Sequence, residues 1–412
     1  MRIKVINSTT KRLFQIYAVL LIGVMPLLAS PWREEAYFDI KLVFTVIITI
    51  FMFVFLLLFD NKILLRPLSG MDWLVAAYAV LLVASTIFSI NVPLSIKGLP
   101  NCREGLISLL CYLFIYILFS RLTMWDRWMM DLILICAALV SFYGILEFFG
   151  IIHPIECGNY SATFGNRNFT GTYCTIMLPL AVWSFLDKRK IRYWIFSSLI
   201  FILLLTSMTR SAWVALTVWL PLMAVLSLKD KKRINFLILF CISSVILFFI
   251  LDNMTGNQIS QRLYSILFDF SNPTSDEAGS YRMNIWKNSL KLLGDRPLLG
   301  SGPDTFGIVF FKLDGILDIL RQNLPYHKAH NELLQILITT GYPALLAYLL
   351  IVIQSVKTGF KNVRKQLWLV PVLCALAGYL VQAMFNISVI TTAPIFWAFL
   401  GLVAGNNIKS IY

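Results

Sequence analysis

Ile40-Lys-Leu-Val-Phe-Thr-Val-Ile-Ile-Thr-Ile-Phe-Met-Phe-Val-Phe-Leu-Leu-Leu-Phe59 carries a single charge, Lys41, in an otherwise almost wholly apolar run. About twenty such residues cross a hydrocarbon core roughly 30 Å thick. Backbone amides with no water to bond must pair within their own segment, so the run is predicted to be a helix. Working outward, comparable runs lie near Leu13–Ser30, Trp73–Ile90, Leu106–Ser120, Met129–Gly150 and Gly171–Leu186. Others lie near Tyr193–Met208, Ser211–Leu228, Asn235–Leu251, Asn331–Val356, Trp368–Asn386 and Ser388–Gly405. With 58% hydrophobic residues, 14% charged residues and a mean hydropathy of +0.77, the 412-residue chain is far more apolar than a soluble domain. The expected fold class is all-α, a polytopic membrane bundle of about 12 transmembrane helices with one long outer (periplasmic or extracellular) loop. The expected division is helices 1–9 in residues 1–251, the long loop in 252–330 and helices 10–12 in 331–412.

Charge orients the bundle. With the N-terminus inside, the cytoplasmic segments and tails hold 21 of the 35 Lys and Arg residues, including Lys188-Arg189-Lys190 and Lys231-Lys232-Arg233. Short outer segments hold only a few, the distribution expected of a multi-pass protein with both termini cytoplasmic. The net charge of +14 therefore reads as anchoring beside anionic lipid, not as nucleic-acid binding. Basic residues ahead of Leu13–Ser30 resemble a signal peptide, but so many later spans favour an uncleaved anchor. The seven cysteines form no metal-ligand pattern. Cys102 and Cys157, both in expected outer loops, are able to pair if they lie close.

Four polar clusters fall on the expected outer face. Arg210, in Thr206-Ser-Met-Thr-Arg210-Ser-Ala-Trp213, sits in a link too short to leave the membrane surface. It is either a snorkelling anchor or an anion ligand facing the bundle interior. Arg282 opens an expected loop helix, Tyr281 to Leu293, whose apolar face is Met283, Trp286, Leu290 and Leu293; alone, it reads as a solvated helix residue. His330, in His327-Lys328-Ala329-His330-Asn331-Glu332, stands where the long loop re-enters the membrane. His327 and His330 lack a third ligand of suitable spacing for metal. A general base suits His330, because imidazole titrates near neutrality; a helix-end histidine is the structural alternative. Phe164-Gly165-Asn166-Arg167-Asn168-Phe169 reads either as a folded loop or as a sugar or phosphate contact through Asn166, Arg167 and Asn168.

These segments together resemble the O-antigen ligase and polymerase superfamily of bacterial membrane glycosyltransferases. The resemblance rests on Phe164-Gly-Asn-Arg-Asn-Phe169, Thr209-Arg-Ser-Ala-Trp213, Arg282-Met-Asn-Ile-Trp286 and Asp295-Arg-Pro-Leu-Leu-Gly-Ser-Gly-Pro-Asp-Thr-Phe306. His330-Asn331, followed by Gly341, completes the ordered set, which covers roughly Tyr160 to Leu350. It implies a metal-independent, cofactor-free reaction in the inner membrane. The implied donor is a polyprenyl (undecaprenyl) diphosphate-linked glycan, and the implied acceptor is a lipid or glycan such as lipid A-core. It further implies that Arg210 and Arg282 bind the diphosphate and that His330 is the base; His327 and Lys328 are possible further contacts. Ligases of this family commonly carry Gly, Thr or Tyr three residues after the glycine. Here that position is Ala344, which leaves a polysaccharide polymerase open.

Residue chemistry agrees. A departing glycosyl diphosphate gathers negative charge that permanently cationic, bidentate arginines suit. No Asp-x-Asp pair is present to hold a divalent ion with a sugar nucleotide. A transporter is the alternative from another class, but no matched repeat or pair of broken helices supports it. A structural scaffold would not place arginines against the charge bias.

Overall fold

The computed structural model of the chain describes residues 7–30, 37–122, 124–155, 160–271, 282–312 and 327–405, and among these every regular element is a helix. In chain order they are α1 (Ser8–Leu27), α2 (Phe38–Phe59), α3 (Gly70–Ile87), α4 (Val92–Lys97), α5 (Leu106–Arg121) and α6 (Arg127–Phe148). Next come α7 (Arg167–Lys188), α8 (Ile191–Thr206), α9 (Arg210–Ser227), α10 (Lys231–Met254), α11 (Gln258–Ser271) and α12 (Arg282–Leu290). Last are α13 (Phe306–Phe310), α14 (Glu332–Val363), α15 (Leu369–Ala383) and α16 (Ala393–Ala404).

Eight of these, α1, α2, α3, α6, α7, α9, α10 and α14, are long and apolar enough to cross a membrane. The other four expected spans are shorter apolar helices, α5, α8, α15 and α16. At 1.5 Å per residue, the 12 residues of α16 cover only about 18 Å. Ser388 to Thr392, expected to be helical, is irregular, and the Ile390 amide donates to the Cys102 carbonyl at 3.2 Å. Such backbone is tolerated at membrane depth where protein surrounds it, and Val389 to Val403 is buried throughout. Cys157 lies outside the described residues, as do Tyr281 and the stretches 272–281 and 313–326 of the long loop.

The span expected over Asn331–Val356 is broken. Gly341 in α14 has φ 87° and ψ 171°, a region that only glycine occupies comfortably. Pro343 follows and lacks an N–H, so carbonyls around the break lose their helical donors. The motif segment 297–302 replaces them. The Ser301 amide donates to the Ile338 carbonyl at 3.1 Å, the Gly302 amide to Thr339 at 2.8 Å, and the Tyr342 amide to Pro297 at 2.9 Å. The Ser85 hydroxyl also donates to the Thr339 carbonyl. The motif's other end is held by α3 and α4. Ser89 and Ser95 hydroxyls donate to the carbonyls of Ser301 and Pro303, and Asp304 accepts from the Leu99 amide.

Two expectations about the loop change. The buried stripe of α12 is Ile285 and Ser289, continued by Leu292, while Leu290 is 57% exposed. The face is turned because the helix packs on Phe306, Phe310, Ala329 and Ile338. The sequence reading also has no counterpart for α11, which doubles back from α10 through the left-handed pair Gly256 and Asn257.

Candidate functional site

Helix α7, buried from Phe169 to Leu186, forms the axis of the site, packed by α8, α9, α10 and α15. Its entrance is fixed from below. The Glu147 carboxylate accepts the amides of Ser161 and Ala162 at 3.0 and 2.7 Å. Lys41 donates to the Thr163 carbonyl and lies over the Phe164 ring, which packs on Tyr173 with centroids 4.6 Å apart. This seats Asn166 as the N-cap of α7, its side chain accepting from the Asn168 amide at 2.8 Å. Asn166, Arg167 and Asn168 therefore form a helix start, not a free loop. The exposed Arg167 guanidinium stands over Tyr160. Gln382 and Asn386 donate to the Asn168 carbonyl, and both also donate to Thr172.

The Thr209 hydroxyl donates to the Arg167 carbonyl at 2.8 Å. A Cβ on Gly171 would meet Thr209 at 2.6 Å, so glycine allows this approach. Arg210, the next residue and the first of α9, thus stands beside the α7 entrance. Its guanidinium donates to Asp269 at 2.5 Å and to the Ser265 hydroxyl at 3.2 Å, both on α11. Arg262, one turn earlier on α11, donates to the Met208 carbonyl at 3.3 Å. Arg282 closes the group from α12. Burial, reinforced by the charges of Arg210 and Arg262 and opposed by Asp269, pushes its pKa down to about 10. Burial and the charges of Arg210 and Arg167 likewise lower Arg262. Four guanidinium groups thus gather where α7, α9, α11 and α12 meet, and Asp269 acts on three of them.

His330 stands on the far side of Arg282. The Trp286 indole of α12 donates to the Ala329 carbonyl at 3.0 Å, fastening that helix to the histidine segment. His330 itself has φ 48°, outside any helix, and the Asn331 carboxamide beside it caps α14 through the Leu334 amide. Asn331 also donates to the Met384 carbonyl, two residues from Asn386. The imidazole Nδ1 is enclosed without a hydrogen-bond partner among the described residues. Burial, then the charges of Arg282 and Lys328, push its pKa down to about 4, so the ring is neutral at pH 7.

The remaining expected residues are placed differently. Lys328 is buried and its ammonium is held by Asp304. Burial alone would lower its pKa, but the Asp304 carboxylate, together with Cys102 and Glu104, raises it overall. Behind it lies a cavity of about 50 Å³, room for a few waters, lined by Glu104, Asp304, Lys328 and Glu332 among others. Burial pushes Glu104 up to about 8 despite the Tyr112 hydroxyl it accepts. Glu332 accepts hydroxyls from Tyr348 and Tyr379. His327 is exposed, its ring 6.2 Å from that of Phe311. Sequence reading missed Arg262 and Asp269. Their signal was the polar period Arg262, Ser265, Asp269, with Leu263 and Leu267 on the other face of one short helix.

No cluster of three or more His, Cys, Asp or Glu with metal-binding geometry exists among the described residues. No curated protein matches the chain. The family model described as O-antigen ligase matches residues 195–349, a span that holds Arg210, Arg262, Arg282, Lys328 and His330 and begins after Asn166, Arg167 and Asn168. Over residues 195–349, then, the chain is similar to the O-antigen ligase and polymerase superfamily, whose members are, at that level, membrane glycosyltransferases.

Proposed function

We propose that this protein transfers a glycan from a polyprenyl diphosphate to an acceptor hydroxyl at the outer face of the inner membrane. The site then belongs to the outward-facing segment 252–330 and the adjoining helix ends, with both termini cytoplasmic. The observation that carries the reading is the gathering of Arg167, Arg210, Arg262 and Arg282 beside a neutral, part-buried His330.

In this reading His330 Nε2 takes the proton of the acceptor hydroxyl as its oxygen attacks the anomeric carbon. The bond from that carbon to the diphosphate oxygen breaks, and polyprenyl diphosphate departs with the bonding electrons. Direct displacement inverts the anomeric centre. Arg210 and Arg282 stabilise the charge that grows on the leaving oxygens; losing one such group typically costs about 10²–10³ in rate. A positioned general base contributes about 10²–10⁴. The same electrostatics couple binding to basicity. A diphosphate on Arg282 cancels part of the field that depresses His330, so the imidazole becomes a stronger base as the donor arrives.

Ala344, where ligases commonly carry Gly, Thr or Tyr, keeps a polymerase of the same superfamily as the second reading. Incubating the purified protein with a polyprenyl diphosphate oligosaccharide and candidate acceptors tests the proposal. A lengthened lipid-linked chain identifies a polymerase, a glycan on a new acceptor identifies a ligase, and solute flux without transfer refutes both.

A further inference from the structure

The strongest contact in the arginine cluster is internal. Asp269 sits 2.5 Å from the Arg210 guanidinium, and Ser265 one turn earlier holds the same nitrogen through both its hydroxyl and its carbonyl. All three contacts come from α11, whose other face is apolar and open: Leu263 is 43% exposed, Tyr264 69% and Leu267 60%. The helix is tied at its start, where the Asp252 carboxylate accepts the Ser260 amide at 2.9 Å. A helix with this polarity has a polar face turned inward and an apolar face turned out, the reverse of a soluble surface helix. It therefore lies between the cationic pocket and lipid. Its inward acid occupies the group that the proposed reading gives to the donor.

We propose that Asp269 is an internal competitor for the donor's diphosphate, pairing with Arg210 and giving it up as the donor binds. This rests on the reading of the arginines as a diphosphate site and adds a regulatory element to it. Three features of the contact support it. Through one oxygen the carboxylate holds the same guanidinium nitrogen that a phosphate oxygen would take. It is the acid that faces Arg210, Arg262 and Arg282 together, so it weakens the pull of the whole cluster on any other anion. Finally, the pair is part-exposed, with side chains 11% and 26% accessible, so an arriving anion can reach it and exchange is inexpensive.

A purely structural ion pair and a competitor predict opposite signs, and that makes the idea testable. The experiment measures the affinity of full-length protein in lipid nanodiscs for polyprenyl diphosphate, with polyprenyl monophosphate as the comparison. Asp269→Asn removes the charge and keeps the shape. The expected result is about fivefold tighter diphosphate binding, the size of a part-exposed ion pair. The monophosphate should gain less, because repulsion by Asp269 scales with ligand charge. Asp269→Ser, if the first variant folds poorly, should show the same sign. In an Arg210→Ala background the Asp269→Asn gain should shrink, since the two residues act through one contact. Unchanged or weaker binding by folded Asp269→Asn and Asp269→Ser overturns the competitor while leaving the diphosphate site intact. Wild-type affinity in Arg210→Ala overturns both.

Discussion

Replacing Gly341 with alanine tests the link between the helix break and the motif that fills it. Two costs add. Gly341 has φ 87° and ψ 171°, and a residue with a Cβ held there stores about 1–3 kcal/mol. The new Cβ would also lie 2.3 Å from the Leu298 carbonyl oxygen and 2.5 Å from its carbon. Backbone atoms cannot rotate away, so segment 297–302 has to retreat from α14. Retreat threatens three bonds: Tyr342 to Pro297, Ser301 to Ile338 and Gly302 to Thr339. A buried partner left unsatisfied costs about 1–3 kcal/mol, and losing two of the three with the strain gives a total of about 3–9 kcal/mol. Gly150→Ala is the matched control. Its φ is 70°, yet a Cβ added there would meet nothing within 4 Å, so only the strain of about 1 kcal/mol remains. Unfolding of detergent-solubilised protein in a denaturant titration compares the two. Equal losses for Gly341→Ala and Gly150→Ala would refute the claim that the motif's backbone is docked into the break.

Three further outcomes follow from the site. Asp304→Asn strands the buried Lys328 ammonium and should destabilise the protein by about 3–5 kcal/mol in the same titration; replacing both with a neutral pair should recover much of it. His330 loses its basic form only as pH falls toward about 4, so kcat/KM for transfer, which reports the protein before donor binds, should be flat from neutral pH down to about 5 and then drop. Arg282→Gln removes one of the charges that depress His330 and should move that acid limb upward, whatever it does to the absolute rate. An acid limb at an unchanged pH contradicts the electrostatic coupling of the two residues.

Much of the architecture is legible in the sequence because hydrophobic run length is a robust signal. The twelve apolar segments all contain helix, although α5, α8, α15 and α16 are shorter than spans. The difference arises because α16 and the residues before it are enclosed by protein, where neither length nor regularity is demanded by lipid. The break at Gly341 is invisible as a break, since a glycine and a proline inside an apolar run also fit a continuous membrane helix. Its meaning depends on segment 297–302, some forty residues away. Within the site, Arg210 stands out by its position against the charge bias and His330 by the scarcity of histidine, whereas Arg282 alone reads as a solvated loop charge and is picked out only by the motif it opens. Asp269 does not, because one acid in a long loop with eight acids looks like a solvated charge until α11 folds it onto Arg210. The same holds for Lys328, whose partner Asp304 sits 24 residues earlier.

If the arginines and the histidine act on one reaction, removing any of them must slow the same step. The decisive measurement is the rate of glycan transfer from a saturating polyprenyl diphosphate oligosaccharide. It compares wild type with Arg210→Ala, Arg282→Ala and His330→Ala in folded, membrane-inserted protein. The expected losses are about 10²–10³ for each arginine and about 10²–10⁴ for the histidine. Near-wild-type transfer by any one of the three variants would contradict a shared role.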